Sequence, residues 1–250
     1  MAVKRLLLLP AGHCLVDESA LDTRKKPGVL VDLPIWAYLI ETTDGPVLVD
    51  TGMPERCVDD AEGYFRGTED EGLIVPKMRV EDAIVPLLQR AGYQPQDLCF
   101  LISSHWHFDH AGGNRHFRST PIFVQRAEYE AAMAGGYPEE CCVPGLNYQL
   151  LDGDTDVAPG IHLLSTPGHS PGHQSLLIET PNSGPVLLTV DASYTRANYE
   201  EGVPFAGVDA TQMQQSIARL HEVAKASGAR VFFGHDPQQA GEWPAFPHGL

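Results

Sequence analysis

Apolar residues recur in short runs rich in Val, Ile, Leu and Phe, over residues 3–9, 35–40, 47–49, 100–102, 122–124, 161–164, 175–178, 186–190 and 231–233. Runs this short, between turn residues, predict β-strands. Helical spacing is confined to the gaps. It is expected over residues 80–90 after a proline-containing loop, over a short stretch at 127–133, and over 209–226. In the last, Met213, Ile217, Leu220, Val223 and Ala224 form one apolar stripe. Both of its ends are marked: Asp209 can accept from first-turn N–H groups with Gln212 completing a capping box, and Gly228 supplies the left-handed stop.

Strands grouped early and again late, with few helices between them, do not give simple βαβ alternation. They predict two sheets packed face to face with helices outside, in a single α/β domain over residues 1–250. Two long stretches without periodicity, 11–34 and 53–77, are expected as loops over a site, where specificity resides.

Composition narrows the function classes. Hydrophobic residues make up 43% and charged residues 20% of the 250 residues, which is ordinary globular usage. A formal net charge of -16, without a long Lys/Arg cluster, makes a phosphate backbone repulsive, so no nucleic-acid partner is expected. The apolar start at Leu6 stops at Pro10, short of a secretory core, and no run of about 18 apolar residues follows, so no membrane partner is expected. Five cysteines, odd in number and without a C-x-x-C pair, argue against disulfides and thiolate metal sites and for a soluble protein in a reducing cytoplasm.

The chemistry concentrates after the strand at 100–102, in Ser104-His105-Trp106-His107-Phe108-Asp109-His110-Ala111-Gly112-Gly113. At strand-like spacing His105 and His107 point the same way and can converge on one cation, while the turn at Asp109-His110 aims that pair elsewhere. Three further candidates end strands: His169 in Thr166-Pro167-Gly168-His169, Asp191, and His235 in Gly234-His235-Asp236. Loops at strand ends are where distant residues meet in layered folds. Nitrogen and oxygen donors suit zinc, and also iron, cobalt or manganese.

This arrangement, H-x-H-x-D-H with a later T-P-G-H, a strand-end Asp and a late G-H, resembles the metallo-β-lactamase superfamily. The resemblance implies an αββα sandwich holding two divalent metal ions, most simply zinc. It implies that His105, His107 and His169 bind one, that Asp109, His110 and His235 bind the other, and that Asp191 bridges them. Leu33-Pro-Ile-Trp36, Val49-Asp-Thr-Gly-Met-Pro54, Asp191-Ala-Ser-Tyr194, Val203-Pro-Phe-Ala-Gly207 and Phe232-Phe-Gly-His-Asp236 further resemble the quorum-quenching N-acyl-homoserine lactone lactonases. Hydroxyacylglutathione hydrolases of the superfamily usually carry a Gly-Asp-x-Leu-Phe type sequence where Asp191-Ala-Ser-Tyr194 stands here.

The second resemblance implies a dinuclear carboxylic ester hydrolase for a small-molecule acyl-homoserine lactone, whose ring a metal-bridging hydroxide opens. Tyr194 would donate to the developing oxyanion. Asp109 would carry the proton to the departing alkoxide or act only as a ligand. Phe108, Tyr64, Phe65 and Phe205 are candidates for an apolar acyl cleft, and the small Ala206 and Gly207 would let backbone groups reach the substrate amide. Glu69 would make the acyl wall less apolar. Of the remaining histidines, His173 is a candidate support for a ligand, while His13, His116, His162, His221 and His248 read as packing or solvated groups. A homodimer is left open. Rival readings are a glyoxalase II-type thioester hydrolase on the same metals, an iron redox protein, and a non-catalytic sensor; the intact ligand pattern speaks against the last two.

Overall fold

Leu6 and Leu8 of the first strand, β1 (Val3–Asp17), face one way and Leu7 and Leu9 the other, yet all four are buried. A strand apolar on both faces must be covered on both, which is the origin of the layered architecture. The structure, a computed structural model, describes residues 1–250. After β1 come α1 (Glu18–Leu21), β2 (Leu30–Thr42), β3 (Pro46–Val49), α2 (Arg56–Asp59), β4 (Ile74–Lys77), α3 (Ile84–Arg90), β5 (Phe100–Ile102), α4 (Phe108–Ala111), β6 (Ile122–Gln125), α5 (Arg126–Met133) and β7 (Tyr148–Leu151). The second half adds β8 (Thr155–Ala158), β9 (Ile161–Ser165), β10 (Gln174–Thr180), β11 (Gly184–Val190), α6 (Arg196–Glu201), α7 (Ala210–Ser227) and β12 (Arg230–Phe233).

The strands form a seven-stranded sheet, ordered β4-β1-β2-β3-β5-β6-β7, and a five-stranded sheet, ordered β12-β11-β10-β9-β8. Between them lies a core to which Leu6, Leu8, Tyr38, Ile40, Val47 and Ile102 contribute from one side and Leu163, Leu176, Ile178, Val186 and Leu188 from the other. The outer face of the first sheet, through Leu7, Leu9 and Leu101, packs against Ile84, Leu87 and Leu88 of α3. On the second sheet's outer face Leu164, Leu187 and Phe233 pack against Leu220 of α7 and Tyr199 of α6. The result is the expected helix–sheet–sheet–helix order.

Several boundaries differ from expectation. The stretch 11–34 is not one loop: β1 passes Pro10 through a register shift before His13, with Gly12 at φ +96, and runs on to Asp17 paired with β2 and β4. Likewise 53–77 contains α2 and β4. The strands absent from the sequence reading, β4, β7 and β8, are short and lie at sheet edges, where one exposed side removes the apolar signal. The helix expected over 80–90 is broken at Ala83 into a 3₁₀ turn and α3, because Pro86 has no N–H and its ring excludes the carbonyl of a preceding helical turn.

Helix α7 ends as expected, with Gly228 at φ 68. Its start differs in one detail. Asp209 Oδ1 accepts from the N–H groups of Thr211 at 2.9 Å and Gln212 at 3.0 Å, but the Gln212 side chain donates to Asp209 Oδ2 instead of reaching the Asp209 backbone. The Asp209 N–H is already taken: together with that of Val208 it donates to the carbonyl of Gly168, at 2.8 Å each. The helix start is thereby fastened to the loop carrying His169. Asp209→Ala should lower stability by about 1 kcal/mol, read as a shift in the urea midpoint at unchanged slope.

Candidate metal centre

The C-terminal ends of β5, β9, β11 and β12 each release one loop toward the same edge of the sandwich, and the side chains singled out in the sequence meet there. His105, His107, His169 and Asp191 offer ligand atoms within 4.8 Å of one another, as do Asp109, His110 and His235. His107 Nδ1 lies 3.0 Å from His105 Nε2 and 2.9 Å from His169 Nε2, and His169 Nε2 is 3.2 Å from Asp191 Oδ2. In the second group His110 Nε2 is 3.5 Å from Asp109 Oδ2 and 3.4 Å from Asp191 Oδ1, while His235 Nε2 is 3.0 Å from Asp191 Oδ1. Tetrahedral ligands about 2.0–2.1 Å from a cation stand roughly 3.3 Å apart, so both groups fit a divalent ion. Asp191 turns one oxygen toward each group.

Convergence does not arise as the sequence spacing suggested. Residues 103–106 lie outside any strand, and His107 is the N-cap of α4. The turn of α4 then carries Asp109 and His110 toward the second group. Asp191 follows Val190, a β-branched residue at φ 48, a conformation that costs about 1–3 kcal/mol and persists only where surroundings enforce it. Gly234 is part of that enforcement, since a Cβ there would stand 2.5 Å from the Val190 carbonyl oxygen.

Burial sets the protonation of these groups. Desolvation pushes His107 down to about 3 and holds His105 well below the ordinary imidazole range, which leaves both neutral with lone pairs for a cation. Burial also pulls on His110 and His235, but there Asp191 and Asp109 outweigh it and hold both imidazoles up. Desolvation raises the two carboxyls, yet His235 and His110 outweigh it and hold them low. Two buried anions thus require positive charge between them. Of the buried polar atoms without a hydrogen-bond partner, two are His110 Nε2 and Asp191 Oδ1, both pointing into the second group.

A second ring of hydrogen bonds orients the ligands. His110 Nδ1 donates to Asp50 Oδ2 at 2.9 Å, His235 Nδ1 to the Pro34 carbonyl at 2.9 Å and His169 Nδ1 to that of Ala206 at 3.3 Å. Asp50 also accepts from the N–H and hydroxyl of Ser104, both at 2.7 Å, and the Ser104 oxygen stands 3.1 Å from His105 Nδ1. Glu128 joins the two ligand loops of the first group, accepting from Trp106 N–H at 2.9 Å, Ser170 Oγ–H at 2.7 Å and Gly172 N–H at 2.8 Å. His173 Nε2 accepts the Asp191 N–H at 3.0 Å, which makes it a support and not a ligand. Sequence reasoning missed Asp50 and Glu128. Asp50 had a signal, a carboxylate closing the apolar strand β3; Glu128 had none, in a helix otherwise mostly exposed.

Above the ligands opens a cavity of about 560 Å³ lined by Phe65, Phe108, Leu33, Ile35, Leu73 and Ile74, among others, and by Tyr194. The Tyr194 ring lies 5.4 Å from both His169 and His235. Burial, then Asp191 and Asp109, push its phenol well above the ordinary value. Four expectations need correction. Phe205 does not line the cavity but packs behind Tyr194 at 5.0 Å, and Tyr64 backs Phe65 and Phe108. Ala206 does line it, but its carbonyl accepts from His169 and its N–H donates to Ala20, so neither is free for a substrate amide. Glu69 is exposed outside the lining, and Asp70 takes the place expected of it. Gly207 lines the cavity, and a Cβ there would stand 2.4 Å from Met213 Sδ and 3.0 Å from the His169 Cα. Of the other histidines, His13, His116 and His162 face carboxylates and His221 donates to the Tyr199 carbonyl.

Residues 30–235 match the family described as the metallo-beta-lactamase superfamily. The chain is 57% identical over 248 residues, 99% of both sequences, to an N-acyl homoserine lactonase of a Bacillus species. It is 56% identical, again over 99% of both, to the N-acyl homoserine lactonase AiiA of Bacillus thuringiensis subsp. kurstaki. Among solved structures, an N-acyl homoserine lactone hydrolase with N-hexanoyl-L-homoserine bound at its catalytic metal centre superposes with a TM-score of 0.97 at 55% identity over the whole of both chains.

Asp50→Asn leaves the shape but removes one acceptor of the His110 and Ser104 protons. Metal affinity should fall about 10–100-fold, measured by competition with a chromogenic chelator, while the folded far-UV spectrum persists.

Proposed function

The chain belongs to the N-acyl homoserine lactonases of the metallo-beta-lactamase superfamily, and from that premise we propose that it opens the lactone ring of N-acyl-homoserine lactones to give N-acyl-homoserines. The observation that carries the reading is the meeting of seven nitrogen and oxygen ligands in two groups, shared through Asp191, on the floor of an apolar cavity under Tyr194. His105, His107 and His169 would hold one cation and Asp109, His110 and His235 the other, with Asp191 available to both. With donors free of thiolate, zinc is the cation we assign. When bound, the pair supplies Lewis acidity, lowering the pKa of water toward neutrality and polarising an ester carbonyl.

The chain's own residues do the rest. Tyr194 keeps its proton, because burial and the nearby Asp191 and Asp109 oppose the phenolate, and so stays a donor at neutral pH. Its hydroxyl donates to the ring carbonyl oxygen as negative charge grows there. Water's oxygen bonds to the carbonyl carbon, the ring C–O bond breaks, and the departing oxygen takes a proton that Asp109 carboxylate is placed to carry. Phe65, Phe108, Leu33 and Ile35 receive the acyl chain and exclude water. The thioester alternative is not favoured, since the relatives similar over the full length are lactonases. Five unpaired thiols fit a reducing compartment, and we place the enzyme in the cytoplasm. No helix is long and apolar enough to cross a membrane.

The metal-loaded protein should release one acid equivalent per N-hexanoyl-homoserine lactone, with N-hexanoyl-homoserine as the product by mass spectrometry; free hexanoate and homoserine lactone would identify amide cleavage and end this reading. Tyr194→Phe should lower kcat about tenfold to a hundredfold with metal content unchanged. Full kcat in that variant would reduce the tyrosine to packing.

A further inference from the structure

The cavity over the ligands is one-sided in charge. No Lys or Arg lines it, and outside the ligand set it carries two carboxylates, Asp17 and Asp70. Asp17 is occupied locally, accepting from Ser19 N–H at 2.9 Å and Gly28 N–H at 2.6 Å. Asp70 is not. Its backbone is fixed, the N–H donating to Thr68 Oγ1 at 3.2 Å and the carbonyl accepting from Leu73 at 3.0 Å and Ile74 at 3.1 Å, while its carboxylate has neither hydrogen bond nor ion pair. Asp70, like Glu69, is exposed to solvent, but its partial desolvation against the cavity wall and the neighbouring Glu69 push its carboxyl up, with no cation to oppose them, and its charge reaches the Tyr194 phenol.

Ring opening changes the charge of the ligand at this spot. A lactone is neutral; adding water leaves a carboxylate and releases a proton to solvent, so the product is an anion. The overall charge of -16 is screened within about 8–10 Å at moderate salt, so once the product leaves the cations the lining carboxylates it passes outside the ligand set are Asp17, already held by two N–H groups, and the unpaired Asp70. We infer that Asp70 is a specificity residue acting as a charge filter at the cavity mouth, indifferent to the neutral lactone and unfavourable to the carboxylate product and other anions. This rests on the lactonase reading for the identity of the two ligands.

The test compares binding of N-hexanoyl-homoserine and of its neutral amide analogue to the metal-loaded protein and to Asp70→Asn by isothermal titration at pH 7.5. The variant should bind the carboxylate about two- to fivefold more tightly at low salt and the amide unchanged, with the difference fading near about 1 M salt. Glu69→Gln, at a residue outside the lining, should move the carboxylate less. Equal affinities in Asp70→Asn and the parent, or equal tightening of both ligands, would overturn the filter. Lactone turnover is recorded alongside: its absence with the salt-dependent effect intact would sink the lactonase reading alone.

Discussion

Two carboxylates and five imidazoles, all buried but the half-buried His107, within a few ångströms of one another are the constraint around which this fold is organised. Burying such groups is costly unless each finds a partner, and the partners here come from every part of the chain. Pro34 from β2, Asp50 after β3, Glu128 from α5 and Ala206 before α7 each accept a proton from a ligand or from the loop that carries one.

The hydrogen bonds also explain where the backbone tolerates strain. Val190 in the left-handed region sits next to Asp191, whose N–H is held by His173 and whose oxygens face both ligand groups. Gly234 and Gly168 admit close approaches at the same edge, the first to Val190 and the second to the start of α7. The long helix is thus part of the site's support as well as the outer layer of the second sheet, since the N–H groups of Val208 and its N-cap Asp209, just before it, hold the Gly168 carbonyl beside His169.

A consequence for function is that specificity and chemistry occupy separate shells. In the proposed reaction the ligands and Tyr194 serve the ester carbonyl, which many esters share. Phe65, Leu73 and the unpaired Asp70 line the rest of the cavity from the segment between β3 and β4, and Ile74 from the start of β4. The start of that segment belongs to the buried network, since Asp50 holds His110 and Ser104 and the Thr51 N–H donates to the His110 carbonyl at 2.7 Å.

The seven candidate ligands were legible in the sequence because chemistry of this kind needs rare residues at strand ends, and apolar runs mark strands wherever both faces are buried; Tyr194 was singled out only through the resemblance of Asp191-Ala-Ser-Tyr194 to the lactonases. The central strands and α7 were legible for the same reason. Edge strands β4, β7 and β8 were not, because half of each meets solvent and the pattern weakens. Nor was the role of Glu128, of Asp70 against Glu69, or of Phe205 behind Tyr194. Local sequence dictates which residues can ligate or pack; which of two neighbouring acids turns toward a cavity is decided only when distant segments close on one another, because facing and burial are properties of the packed layers and not of the chain.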